Sequence, residues 1–329
     1  MLFTTWFFVL APLALAAGAA SFFGSHPTMA MLVTSSAQLL ALAVEVCVKV
    51  AAAIGAKKVP ELTYNETLLV AGALAGFVVA KACISMATRS SEVRYKSEAQ
   101  ALQCLREALP DGANVVVYED MTASNWSGVQ LHALSADSMN PYQRVRMSIG
   151  GMLARIDTNQ KFQYCAFGSG GAEYIHNFFE DGAEHTLAEC NEKYKEVIRK
   201  YHSGTIPPGG HTSFAEVAKH ACAVAAKSQQ FTVAVIVGDG SICPAHVKST
   251  VDAVCSASRY RVGFVFVGVG NPKDPQHWAL MKKLDNMSGR LFDNWQSIIA
   301  SEYTIEGSLA LAAVAEIVGQ VNASAKVAL

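Results

Sequence analysis

Val115–Gly128 reads VVVYEDMTASNWSG, an apolar run that breaks into a carboxylate and two hydroxyls at alternate positions: Asp120, Thr122 and Ser124. The apolar half is the pattern of a strand covered on both faces. In extended chain alternate side chains point the same way, so the three oxygen-bearing groups share one side. A turn or a helix cap would explain any one of them. The regular spacing calls for a common ligand, and the question becomes whether other strands end in matching groups.

Three further runs have the same apolar character: KFQYCAF (161–167), FTVAVIVG (231–238) and RVGFVFVGVG (261–270). Between them lie segments of helical periodicity: PYQRVRMSIGGMLARI (141–156), TLAECNEKYKEVIRKY (186–201), TSFAEVAKHACAVAAKS (212–228) and AHVKSTVDAVCSAS (245–258). YIHNFFED (174–181) reads as a short edge strand. This alternation predicts an α/β fold with a doubly wound, mostly parallel sheet in the order 3-2-1-4-5-6. Such sheets bind ligands outside the carboxyl ends of their strands. FTVAVIVG runs into Asp239, and PPGGHTSFAE (207–216) places Thr212 at the start of a helix. Carboxylates and hydroxyls with no His or Cys among them suit a hard cation, Mg²⁺ most naturally, with Ca²⁺ or Mn²⁺ as other divalent choices.

DMTAS resembles the metal-ion-dependent adhesion site of von Willebrand factor A domains, in the form DxTxS. DMTASN, NPYQRVRMSIGGML, HTSFAEVAKHA, VIVGDGSI, VGFVFVGVGN and RLFDNWQSI follow in the order seen in the copine subgroup. They are equally similar to the plant RING-type ubiquitin ligases that share its A domain. The resemblance runs from about Ala113 to Ile298 and implies a six-stranded Rossmann-like A domain. It also implies that Asp120, Thr122 and Ser124 form the first loop of metal ligands. Thr212 would supply the second and Asp239 the third, directly or through water. Nothing here resembles the copines' C2 domains or the ligases' RING, so calcium-dependent membrane binding and ubiquitin transfer are not implied. Gly238 stands where the subgroup usually has Thr, and GGHT replaces GPT.

The 329-residue chain has a net charge of −1, which gives no reason to expect nucleic acid as a partner. Its charged fraction of 16% is low, and residues 1–44 contain no Asp, Glu, Lys or Arg. Segments at about 3–23, 29–55 and 67–88 are long and apolar enough to be expected as two or three transmembrane helices. For the first, a cleaved secretory signal is the alternative. The second carries Gln38, Glu45 and Lys49 on one side, and an interfacial helix is its alternative. The third places Gly72 and Gly76 for close helix approach. These readings divide the chain into a membrane region (1–90), an A domain (91–303) and a C-terminal helix (304–329). They predict an intracellular integral membrane protein, with an organellar membrane such as the mitochondrial included. Lipids and membrane-protein subunits would be its neighbours.

Eight cysteines form no CxxC pair, and the histidines show no HxxxH or HExxH spacing. Ser169 and Ser241 lie outside any GxSxG, and FGSGGAE (167–173) lacks the third glycine of a dinucleotide fingerprint. No enzyme is expected on these grounds. The expected function is a membrane-anchored interaction module in which an acidic residue of a protein partner completes the cation's coordination. Two other readings stay open: an accessory subunit of a membrane complex with a vestigial site, and a nucleotide-using enzyme.

Overall fold

Ala113–Asp120 (β1) forms the middle of the sheet because its side chains are apolar on both faces. Val115 and Val117 enter one core layer, Val116 and Tyr118 the other. A computed structural model describes residues 95–127, 130–168, 175–228, 230–270, 278–303 and 306–327. β1 pairs in parallel with β2 (Gln163–Phe167) on one side and β4 (Phe231–Gly238) on the other. Beyond β4 follow β5 (Val262–Gly268) and β6 (Trp295–Ile299), also parallel. β3 (Ile175–Asn177) closes the opposite edge, antiparallel to β2. The six-stranded order is β3-β2-β1-β4-β5-β6, as the alternating pattern predicts. All eight residues of β4 are buried, as its unbroken apolar run requires in a sheet covered on both faces.

Helices cover both faces. One layer holds α1 (Glu98–Ala108), α2 (Pro141–Ala154) and α3 (Leu187–His202). The other holds α4 (Ala215–Ser228), α5 (Val247–Ala257) and α6 (Ala279–Asp285). Their starts are written in the sequence. Asn140 and Gln143 form a reciprocal capping box ahead of α2, with Pro141 at its first position. Thr186 and Glu189 do the same for α3. The short strand β6, within RLFDNWQSI, and the helices α1 and α6 are not among the segments read from periodicity.

The C-terminal tail differs from the single helix expected over 304–329. It folds as α7 (Glu306–Ala313) and α8 (Ile317–Ser324), both contributing to the α1–α2–α3 layer. The break has a local cause. Gln296 Nε2, from β6, donates to the carbonyl of Ala312 at 2.7 Å. Ala315 N–H donates to the same carbonyl at 3.1 Å, a tighter turn than the α-helical one.

The three N-terminal segments expected to span a membrane lie outside the described residues. Among the described residues no helix is long and apolar enough to cross a membrane. The integral-membrane, organellar placement is therefore corrected: it rested on apolar length alone, and no described element supports it.

Candidate metal centre

The register of β1 and β4 builds the site. Glu119 lies opposite Val237, so Asp120 and Asp239 emerge from neighbouring strands at the same edge. A third segment is tied to them beyond the sheet proper. Ala123 N–H donates to Gly209 O at 2.7 Å and Gly209 N–H to Met121 O at 3.3 Å, forming a one-residue parallel bridge. That bridge brings Thr212 to the loop after β1. Thr212 precedes α4 by three residues rather than opening it.

Thr122 is the centre of the cluster. Its hydroxyl donates to Asp120 Oδ1 at 2.6 Å and lies 3.2 Å from Ser124 Oγ. It accepts from Thr212 Oγ1 at 3.0 Å and from Asn125 Nδ2 at 3.3 Å. Thr122 N–H also donates to Asp120 Oδ1, at 2.9 Å. Asp239 Oδ1 accepts from the backbone N–H of Ser241 at 2.9 Å, while Cys243 N–H ties the same loop to Thr212 O at 3.2 Å. All five residues singled out in the sequence thus lie on three adjoining loops at one edge.

Two features were not anticipated. Carboxylates at strand ends are ordinarily open to solvent, yet Asp120 is 0% and Asp239 5% exposed. Asp120 Oδ2 is also buried with no hydrogen-bond partner. Burial first, and the charge of Asp239 second, push the Asp120 carboxyl well above the usual carboxylate range, against the hydrogen bonds from Thr122 and Asn125. A carboxylate so placed gains strongly from a cation beside its free oxygen. Gly238 leaves that side open, since a Cβ on it would stand 3.0 Å from Asp120 Oδ2. No group of three or more His, Cys, Asp or Glu side chains fit for a metal occurs among the described residues. The set here is two carboxylates and three hydroxyls, which suits a hard, oxygen-seeking ion.

Gly168, at the end of β2, supports the cluster from below. Its φ is +78°, and a Cβ there would collide with Thr122 Cγ2. Gly168→Ala is expected to lower stability by about 1–2 kcal/mol from the left-handed backbone alone. It should also displace Thr122, weakening cation binding in a calorimetric titration. A full-strength cation titration in that variant would mean that Thr122 can move without harm to the site.

A buried polar layer beneath the loop went unread in the sequence. His132 Nε2 donates to the carbonyl of Asp120 at 2.9 Å, and its Nδ1 accepts from Tyr194 at 2.8 Å. Tyr142 OH donates to Asn125 Oδ1 at 2.6 Å. Glu119 is ion-paired with Arg146, and both are buried. Asn125 begins a glycosylation sequon, but its side chain is consumed here and fully buried. Burial pushes the His132 imidazole down to about 3, aided by Arg146 and opposed by the bond to Asp120 O. In the unfolded chain the ring titrates near about 6.5. The stability that its neutral form supplies is full above that value and is lost as pH falls towards 3, because the unfolded state binds the proton first. The raised Asp120 carboxyl acts in the opposite direction over the same window in both proteins, so in chelating buffer the melting temperature of His132→Gln should fall less, or rise more, than that of the wild type as pH drops. Parallel pH profiles for the two proteins would contradict the assignment.

The strand order and the helix layers are those of a von Willebrand factor A domain. The copine family model matches residues 130–328, and the chain belongs to the copine family. The E3 ubiquitin-protein ligase RGLG4 of Arabidopsis thaliana is 31% identical over 261 residues, 70% of this chain and 63% of that protein. Copine family protein 2 of Caenorhabditis elegans is 28% identical over 245 residues, 70% of this chain and 3% of that protein. The chain thus spans less than two thirds of these relatives' length. Among solved structures, a von Willebrand factor type A protein from Catenulispora acidiphila is similar at 15% identity and a TM-score of 0.38, over 63% of this chain and 42% of that one. The manganese-loaded TRAP protein of Plasmodium vivax is similar at 14% identity and a TM-score of 0.41, over 63% and 75%. Both likenesses are too loose to bear on the site.

Proposed function

We propose that this domain is a protein-interaction module whose loop cluster holds a divalent cation, Mg²⁺ in the first instance. Asp120, Thr122, Ser124, Thr212 and Asp239 would supply the donors. The observation that carries this reading is the buried, unpartnered Oδ2 of Asp120 beside a second carboxylate. When bound, the cation supplies an electrophilic centre that gains from one more anionic ligand, such as an Asp or Glu of a protein partner. Ser124 is exposed, so the cluster has an open side from which such a residue can approach. In this reading the domain binds and does not catalyse. The Arabidopsis relatives bear the name of ubiquitin ligases; that activity is not carried over.

Titration of Mg²⁺ and Mn²⁺ into the full chain tests the first half. Asp239→Asn should weaken binding by at least about tenfold, since it removes one of only two charged donors. The second half is tested by capture of partners on wild-type and Asp239→Asn baits, with and without chelator. Partners lost both on chelation and in the variant support the bridge. Identical partner sets in all four conditions would reduce the cluster to a structural lock of the loops.

A further inference from the structure

We infer that His132 and Tyr142 are positioning residues for the donor loop, holding Asp120, Thr122 and Ser124 in place from beneath. The loop they act on is the one read above as a metal centre, so the metal half of this inference rests on that reading. The geometry points to two separate grips. His132, from the segment after the loop, donates Nε2–H to the carbonyl of Asp120 at 2.9 Å. Its other nitrogen takes the hydroxyl proton of Tyr194 on α3, which fixes the neutral tautomer that can make the first bond. Tyr142, in the first turn of α2, donates its hydroxyl to Asn125 Oδ1 at 2.6 Å. That bond orients the Asn125 amide so that Nδ2 faces Thr122 Oγ1 at 3.3 Å.

The rings reinforce the bonds. His132 stacks on Tyr142 with centroids 3.9 Å apart and on Trp126 at 4.8 Å. Trp126 stands two residues beyond Ser124, so the stack grips the far end of the loop while the His132 bond grips the near end. None of these side chains faces the donor cluster with a charge. Their contribution is to fix where the oxygens stand, as outer-shell partners do at metal sites.

The test uses the full chain and four variants. Tyr142→Phe keeps the ring and removes only the hydroxyl. His132→Leu removes both hydrogen bonds, and His132→Gln restores a donor at the Nε2 position. Val321→Ala, a core truncation on α8 away from the loop, controls for general loss of stability. Two quantities are measured: Mn²⁺ affinity, and amide exchange at Thr122 and Ala123 against Val235 in β4. Tyr142→Phe and His132→Leu should weaken Mn²⁺ binding by about 10–100-fold. They should speed exchange at Thr122 and Ala123 more than at Val235, His132→Gln should recover most of both, and Val321→Ala should leave Mn²⁺ affinity and the ratio of loop to strand exchange unchanged. Unchanged loop exchange in both variants overturns the inference, and so does faster loop exchange with wild-type Mn²⁺ affinity. If the wild type binds no divalent ion, the metal reading falls. Loop exchange then decides the positioning role by itself.

Discussion

Asp120→Asn is expected to abolish measurable Mg²⁺ binding while leaving the metal-free fold at least as stable as the wild type. The substitution keeps the atom that matters to the loop. Asn Oδ1 can still accept from Thr122 N–H and Thr122 Oγ–H, which hold Asp120 Oδ1 at 2.9 and 2.6 Å. What disappears is a negative charge that is fully buried, has one oxygen without a partner and lies beside Asp239. A hard cation loses the larger part of its attraction when one of two carboxylates goes. In chelating buffer above about pH 8, where the Asp120 carboxyl is ionised, the same loss relieves burial of a charge and repulsion between like charges; below it the neutral acid and the amide should differ little. Calorimetric titration and melting curves with chelator read the two effects separately. Wild-type Mg²⁺ affinity in Asp120→Asn would remove this carboxylate from the site altogether. A clear fall in metal-free melting temperature would show instead that its charge is compensated by something other than a cation.

Arg146→Ala should cost about 3–5 kcal/mol, the usual penalty for leaving a buried charge without its partner. Glu119 is fully buried at the end of β1, and Arg146 reaches it from α2. Burial pushes the Glu119 carboxyl up, and the guanidinium is the main influence holding it down. Arg146 also lies over the ring of Tyr194 at 4.1 Å, so truncation opens a space as well as a charge. A loss of that size is a large share of the roughly 5–15 kcal/mol that keeps a domain folded. Arg146→Met together with Glu119→Gln should recover most of it, because neither charge is then stranded. Urea unfolding of the single and double variants provides the check. Equal stability of Arg146→Met alone and the double variant would mean that packing, rather than the stranded carboxylate, sets the cost.

The legible parts of this molecule are those written in local pattern. The parallel run of β1 and β4 follows from their unbroken apolar stretches, and the starts of α2 and α3 from Asn140 and Thr186 with their Gln143 and Glu189 partners. The alternate spacing of Asp120, Thr122 and Ser124 reads as a shared side because extended chain alternates. What escaped is what long-range contact decides. His132, Tyr142 and Arg146 look like an isolated histidine and two ordinary helix residues until folding brings them to Asp120, Asn125 and Glu119. The burial of Asp120 was illegible for the same reason, since the segment at Gly209 that pairs with its loop belongs to another part of the chain. Apolar length in residues 1–94 speaks only of composition, and it misled about placement.

The first and last described helices, α1 and α8, lie against one another, with Leu102, Leu105, Ile317 and Val321 in the same core. Tension applied through the flanking chain would therefore first load the packing of α1 and α8 on each other, of α1 on α7 and of α8 on β5, and peel it open from its ends. The strand pairs that carry the donor loops would bear load only after that packing had parted. A pulling experiment on the ends of this domain should accordingly show a weak first event, the release of α1 and α8, ahead of a stronger one in which the sheet gives way.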